Sequence, residues 1–199
     1  LSNILGARYR YLLKKNEIDI KIILIDGNET QTFEISKIEP LYFHPWKQLG
    51  EPLVYKKQFS HGECVAELTF GYSPKTKFEF EKIGKRIEDY TLKRGHSINH
   101  PYAVSPHNCG LDLIINRRVI VFKQLTEINL FNTRDNWYSQ LRGEIHFGRG
   151  ACTTATKNNF VKTEDYLEVL RQIRFYLRNG EPNRGDSSSE DKPIDLDNK

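Results

Sequence analysis

Residues 163 to 179 carry the pattern that most restricts what this chain can fold into. Tyr166, Leu167, Leu170, Ile173 and Leu177 recur at helical spacing and form one apolar stripe. Thr163 stands where an N-cap belongs, and Glu164 and Asp165 occupy the first turn, where carboxylates suit the positive end of the helix dipole. Arg171, Arg174 and Arg178 lie toward the other end, and Asn179-Gly180 supplies a stop. A helix that is apolar along a single stripe has to be laid on another surface.

The segments before it supply that surface as strands. Glu63 to Gly71 and Arg142 to Phe147 read as strands, the second ended by Gly148 and Gly150. Gly110 to Ile115 and Val119 to Lys123 form a strand pair around the turn Asn116-Arg117-Arg118. Phe80, Ile83, Ile87 and Tyr90 recur at helical spacing and predict a helix over Glu79 to Leu92. Pro40 to Lys57 reads as an ordered loop, and Gly95 to Asn108 as a second loop bearing histidine and proline. At the start, Leu1, Ile4, Leu5, Tyr9, Leu12 and Leu13 predict a helix with those residues on its buried face. Ile18 to Ile25 follows as a strand, Asp26-Gly27 as a hairpin turn, and Thr30 to Ile35 as the returning strand.

The expectation is an α+β fold with a mixed β-sheet from roughly Glu63 to Phe147. The Glu79 to Leu92 helix would be a right-handed βαβ crossover, and the Thr163 to Asn179 helix would pack on one face. With 199 residues, 38% of them hydrophobic and 12% aromatic, the chain can build a real core. It has no apolar run near the ~20 residues a membrane span requires. Leu1-Ser2-Asn3 shows neither the basic nor the apolar region of a signal peptide, and the absence of any methionine suggests a fragment or a processed product. Three widely spaced cysteines, Cys64, Cys109 and Cys152, argue against a secreted disulfide framework, so an intracellular setting, cytoplasm or nucleus, is expected. The net charge of +4 divides into −3 on residues 181–199 and +7 on the body. The tail reads as disordered and acidic, and the body as compatible with nucleic acid without demanding it.

Four residue groups bear on chemistry. His96, His100, His107 and Cys109 are natural zinc ligands in one short loop, but their spacing matches no paired-ligand pattern. Asp112 on one strand and Lys123 on the next resemble the start of a metal-dependent nuclease motif, yet Val121 stands where its second carboxylate belongs. Asp112 is then better read as a strand residue paired with a nearby arginine, or as a turn acceptor. Gly148-Arg149-Gly150 is too short for a phosphate-binding glycine motif. Lys157, in the Thr- and Asn-rich run Cys152 to Phe160 between a strand and the capped helix, is placed to donate to a phosphate.

Two stretches carry a family resemblance. Gly110-Leu111-Asp112-Leu113-Ile114-Ile115-Asn116-Arg117-Arg118-Val119-Ile120 resembles the strand-turn-strand of the transducer domain in GHKL ATPases, with Arg117 where that family usually has glycine. Gly143-Glu144-Ile145 through Thr154, Thr156-Lys157-Asn158 and Phe160 resembles the later strand and lysine loop of the same domain. The resemblance is to the MORC-like and MutL-like branch. Tyr9 to Leu13, Ile20 to Ile35 and Pro40-Leu41 follow the same order of elements. It implies that residues 1–40 are the end of the ATPase domain or a bridging helix and hairpin, 41–180 a transducer-type α+β domain, and 181–199 the tail. It implies Lys157 as the catalytic contact to the γ-phosphate, with Thr156 and Asn158 beside it. ATP and magnesium would be bound mainly by a separate nucleotide-binding half. The partners implied are that ATPase half, a second copy in a homodimer, and DNA or chromatin. The other readings are a nucleic-acid-binding or restriction-type module without ATPase coupling, and a metal-stabilised interaction domain.

Overall fold

The structure, a computed structural model, describes residues 1–15, 17–42, 55–74, 76–82, 84–86, 102, 109–124 and 141–179. Two short helices open the chain, α1 (Ser2–Arg8) and α2 (Arg10–Lys14), followed by the hairpin of β1 (Lys21–Asp26) and β2 (Glu29–Glu34). Then come β3 (Tyr55–His61), β4 (Cys64–Tyr72), α3 (Lys77–Lys82), β5 (Gly110–Ile115), β6 (Arg118–Gln124), β7 (Leu141–Phe147) and α4 (Glu164–Asn179). The fold is α+β.

Five strands form one mixed sheet in the order β3-β4-β7-β5-β6. Neighbours are antiparallel except β5 and β7, which run parallel. The parallel connection therefore passes through β6 and residues 125–140, not through α3, which links the oppositely directed and non-adjacent β4 and β5. Two registers across the centre set the chemistry of the two faces. Leu68 pairs with Ile145 and Ile145 with Leu113, whereas one residue along, Thr69 pairs with Glu144 and Glu144 with Asp112. Since side chains alternate sides along a strand, the first row is apolar on one face and the second polar on the other.

The C-terminal helix packs on the apolar face, lying across β3 and β4. Tyr166, Val169, Leu170, Ile173 and Leu177 are its buried residues and join Leu68, Leu111, Leu113, Ile145 and Phe147 in one core. The Thr163 hydroxyl accepts from the Tyr166 amide at 3.3 Å, the cap expected from the sequence. Asp165 accepts from the Glu63 amide at 3.0 Å and so ties the β3–β4 turn to the helix start.

Besides the crossover, three expectations change. The strand β3 lies partly in the stretch read as a loop ending at Lys57, and Tyr55 and Phe59 are its apolar residues that pack against the core, with Lys57 between them over the Tyr176 ring. The helix predicted from Glu79 starts earlier, because Thr76 and Glu79 form a reciprocal capping box at 2.8 Å and 3.3 Å. It stops at Lys82, where Gly84 turns left-handed (φ 65°) and the Lys85 amide reaches back to the Phe80 carbonyl at 2.9 Å. Residues 87–92 of that expectation, the histidines of the second loop and the acidic tail lie outside the described residues. The N-terminal helix buries Gly6, Ala7 and Arg10 instead of the face containing Leu1 and Ile4, which are 74% and 37% exposed. It is interrupted at Tyr9 (φ −107°, ψ 15°).

Candidate functional site: the Lys157 loop and the Arg10 cluster

The Lys157 loop is closed by a β-bridge between Thr153 and Phe160. The Val161 amide donates to the Cys152 carbonyl at 2.9 Å, the Thr154 amide to Asn159 at 2.9 Å, and the Lys157 amide to Thr154 at 2.8 Å. Side chains add a second set of ties. Thr154 and Thr156 hydroxyls both donate to the Asn158 side-chain oxygen, at 3.2 Å and 2.6 Å. The base of the loop is aromatic: Phe160 stacks on Tyr166 with centroids 5.3 Å apart and tilts against Phe147 at 4.9 Å. Lys157 therefore sits exposed at the tip of a short, internally bonded loop on a fixed base. Its backbone is left-handed, with φ 53°. Thr156 and Asn158, the residues predicted beside it, are exposed and serve the loop's own bonding.

Gly150, between β7 and this loop, is also left-handed at φ 79°, and a Cβ there would stand 2.3 Å from the Glu63 carbonyl oxygen. The Val65 amide donates to the Arg149 carbonyl at 3.1 Å, and the Gly148 amide to the Val65 carbonyl at 2.9 Å. The chain is thus pinned to β4 before it enters the loop.

On the polar face of the sheet lies a second constellation, which sequence periodicity does not reveal. Arg10 is 1% exposed, and its guanidinium donates to Asp112 at 3.0 Å, Glu144 at 2.7 Å, Tyr102 at 2.8 Å and the Ala7 carbonyl at 2.9 Å. Tyr102 also donates to Asp112 at 2.6 Å. The other Glu144 oxygen accepts from the Tyr11 hydroxyl and lies 2.8 Å from His146 Nε2. The Tyr11 ring meets the half-buried His146 edge-on.

Electrostatics match this geometry. Burial by itself would raise Glu144, but the hydrogen bond from His146, the Arg10 charge and the bonds from Tyr11 and Arg10 hold it down at about 2. Burial would lower Arg10, but Tyr102, Asp112 and Glu144 together hold it above its ordinary value. Tyr11 and Tyr42 are pushed up by burial and by the Glu144 charge, and Tyr102 by burial and Asp112. Arg142, 2% exposed on the same face of β7, is lowered by burial to about 10.

The pairing expected for Asp112 with a nearby arginine is met by Arg10. One guanidinium nitrogen contacts both Asp112 and Glu144, so a cation already occupies the space between the carboxylates that a nuclease would use for metal. Among the described residues, no group of three or more His, Cys, Asp and Glu side chains could hold a metal ion. Cys109, proposed beside the loop histidines, is buried. No helix among the described residues is long and apolar enough to cross a membrane. The chain matches no protein-family model and no curated protein.

Proposed function

We propose that this chain is the transducer region of a GHKL-type ATPase, coupling ATP binding and hydrolysis to domain movement and acting on DNA or chromatin. The observation that carries the reading is the left-handed Lys157 at the loop tip. A lysine held there costs about 1 kcal/mol or more relative to glycine, and such strain persists where the surrounding structure enforces it. Here Thr154, Thr156, Asn158 and Asn159 enforce it. A charged donor on a preorganised loop suits the recognition of a phosphate that appears and disappears during turnover.

The remaining parts of the reading follow from the resemblance. The sequence shows no Glu/Asn helix for magnesium and catalytic water, no D-x-G-x-G and no glycine lid, so ATP and magnesium would be held mainly by the ATPase half. The β1–β2 hairpin supports a bridging role, because Ile23, Leu24, Ile25 and Phe33 are all exposed on it. A second copy and DNA complete the proposed partners.

The test is Lys157→Ala in the intact ATPase that contains this region. Turnover should fall about a hundredfold, the loss expected when one preorganised donor is removed from a reacting centre. ADP affinity should stay unchanged, since ADP lacks the contacted phosphate. Lys162→Ala, on the exposed segment before α4, should leave both properties unaltered. A wild-type rate for Lys157→Ala would remove the lysine from the mechanism.

A further inference from the structure

Residues 1–42 are joined to the sheet in a different way from α4. Among the described residues, the main apolar core draws nothing from this segment. Its own parts hold together: the Ile38 amide donates to the Gly6 carbonyl at 3.2 Å, Lys14 pairs with Glu39 at 3.3 Å, and the Ile35 amide donates to Ile20 at 2.9 Å. A Cβ on Gly6 would stand 2.2 Å from the Ser36 carbonyl oxygen, so α1 and the segment that follows β2 are in close contact.

The ties to the sheet combine ionic and polar contacts with apolar burial: Ile114 and Val119, on the face of Asp112 and Glu144 and outside the α4 core, are buried, as is Ala7 on α1. Arg10 spans Asp112 on β5 and Glu144 on β7, and Tyr11 bonds to Glu144 and lies 3.2 Å from His146. Arg117 in the β5–β6 turn pairs with Glu17. Two cation–π contacts add to these, Arg8 over Phe122 at 5.5 Å and Arg118 over Tyr9 at 5.3 Å. Buried ionic contacts are directional, and their Coulomb gain is largely cancelled by desolvation. Such an interface separates more readily than apolar packing of the same extent.

We propose that residues 1–42 form an arm that opens from the sheet as a unit, with Arg10 shared between Asp112 and Glu144 as the latch that holds it shut. Opening breaks the latch and exposes the polar face of β5 and β7 while the core beneath α4 stays intact. The device stands whether or not Lys157 meets a phosphate. Under the proposed function it would let the ATPase-side arm move against the sheet without unfolding it.

Hydrogen exchange on the full chain tests this. Glu144→Gln keeps the side-chain shape and removes one of the two charges facing Arg10, leaving Asp112 as its remaining carboxylate partner and weakening the tie to β7. Exchange in α1, α2 and residues 35–39 should speed up by about a hundredfold or more, while α4 and the β3–β4 pair keep their protection. Tyr11→Phe removes a single hydroxyl and should give a smaller acceleration confined to the same residues. The triple variant Arg10→Met, Asp112→Leu, Glu144→Leu replaces the latch with apolar contact and should slow exchange of the arm toward that of the sheet. The proposal is overturned if α4 loses protection together with the arm in Glu144→Gln, or if that variant fails to fold. It is equally overturned if arm exchange is unchanged in Glu144→Gln and Tyr11→Phe.

Discussion

On the α4 side of the sheet, Leu68, Ile145 and Leu113 form a continuous apolar row beneath Tyr166, Val169 and Ile173. On the arm side, one residue further along the same three strands, the row reads Thr69, Glu144 and Asp112, and Arg10 closes over it. The same backbone therefore supports two interfaces of different make-up, one wholly apolar and one in which charges sit beside the buried Ile114 and Val119. The apolar one is non-directional and scales with buried area, so it holds the domain together through small shifts of the side chains. The ionic one depends on a few distances, and losing Arg10 would leave two carboxylates in a dry environment.

The largest effect should come from the apolar side. Ile173→Ala removes buried side-chain volume at the centre of α4 and should cost about 3 kcal/mol of global stability, measured by urea unfolding. The loss should appear equally by probes in the sheet and in α4, since both share one core. A loss confined to α4 would mean that the helix is an appendage.

Acid should act next, and on the other face. The Glu144 carboxyl is depressed from its ordinary value near 4.5 to about 2 in the folded state. A depressed acid stabilises the fold fully above its unfolded value, and that contribution is lost as pH falls from about 4.5 toward 2. Amide NMR signals from residues 1–15 should therefore shift in that window before those of residues 164–179. Simultaneous change would erase the distinction between the faces.

The smallest effect concerns the turn beneath the arm. Asn116 and Arg117 both have positive φ, 49° and 61°, as a tight two-residue hairpin turn demands. Asparagine tolerates this conformation, but arginine does so at a cost, and it gains the exposed pair with Glu17. Arg117→Gly should raise thermal stability slightly, by about 0.5 kcal/mol, because relief of strain exceeds the value of an exposed ion pair. A destabilised variant would show that the Glu17 contact contributes more to arm docking than its exposure suggests.

What could be read from the sequence follows the same division. The α4 helix, its cap, and the strands at 63–71, 110–123 and 142–147 were legible because apolar periodicity reports burial against an apolar layer. The arm defeated that logic. Leu1, Ile4 and Leu5 pointed to one buried face, while the face that is buried carries Gly6, Ala7 and Arg10. A charged residue is scored as solvent-facing unless its partners are known, and those partners lie about a hundred residues away. The available signal was Asp112, an acid inside an otherwise apolar strand, which requires a cation. The strand β3 was missed because Tyr55 and Phe59 alone mark its buried side and the prolines before it suggest a loop. Loop and neighbours single out Lys157 as a candidate in the sequence, but its left-handed backbone is a geometric fact that a sequence pattern does not contain.

The strand order β3-β4-β7-β5-β6 also governs how the chain is assembled during synthesis. The β3–β4 and β5–β6 hairpins are local and can each pair as soon as they leave the ribosome. Neither can join the other until β7 arrives and inserts between them, and the covering helix is made later still. Until then β4 and β5 each present an open edge with an uncovered apolar side, the condition under which nascent chains pair with the wrong neighbour. The central position of β7 thus makes sheet closure a late event, and a chain ending just before Leu141 would carry the two hairpins of the five-stranded sheet with no strand to join them.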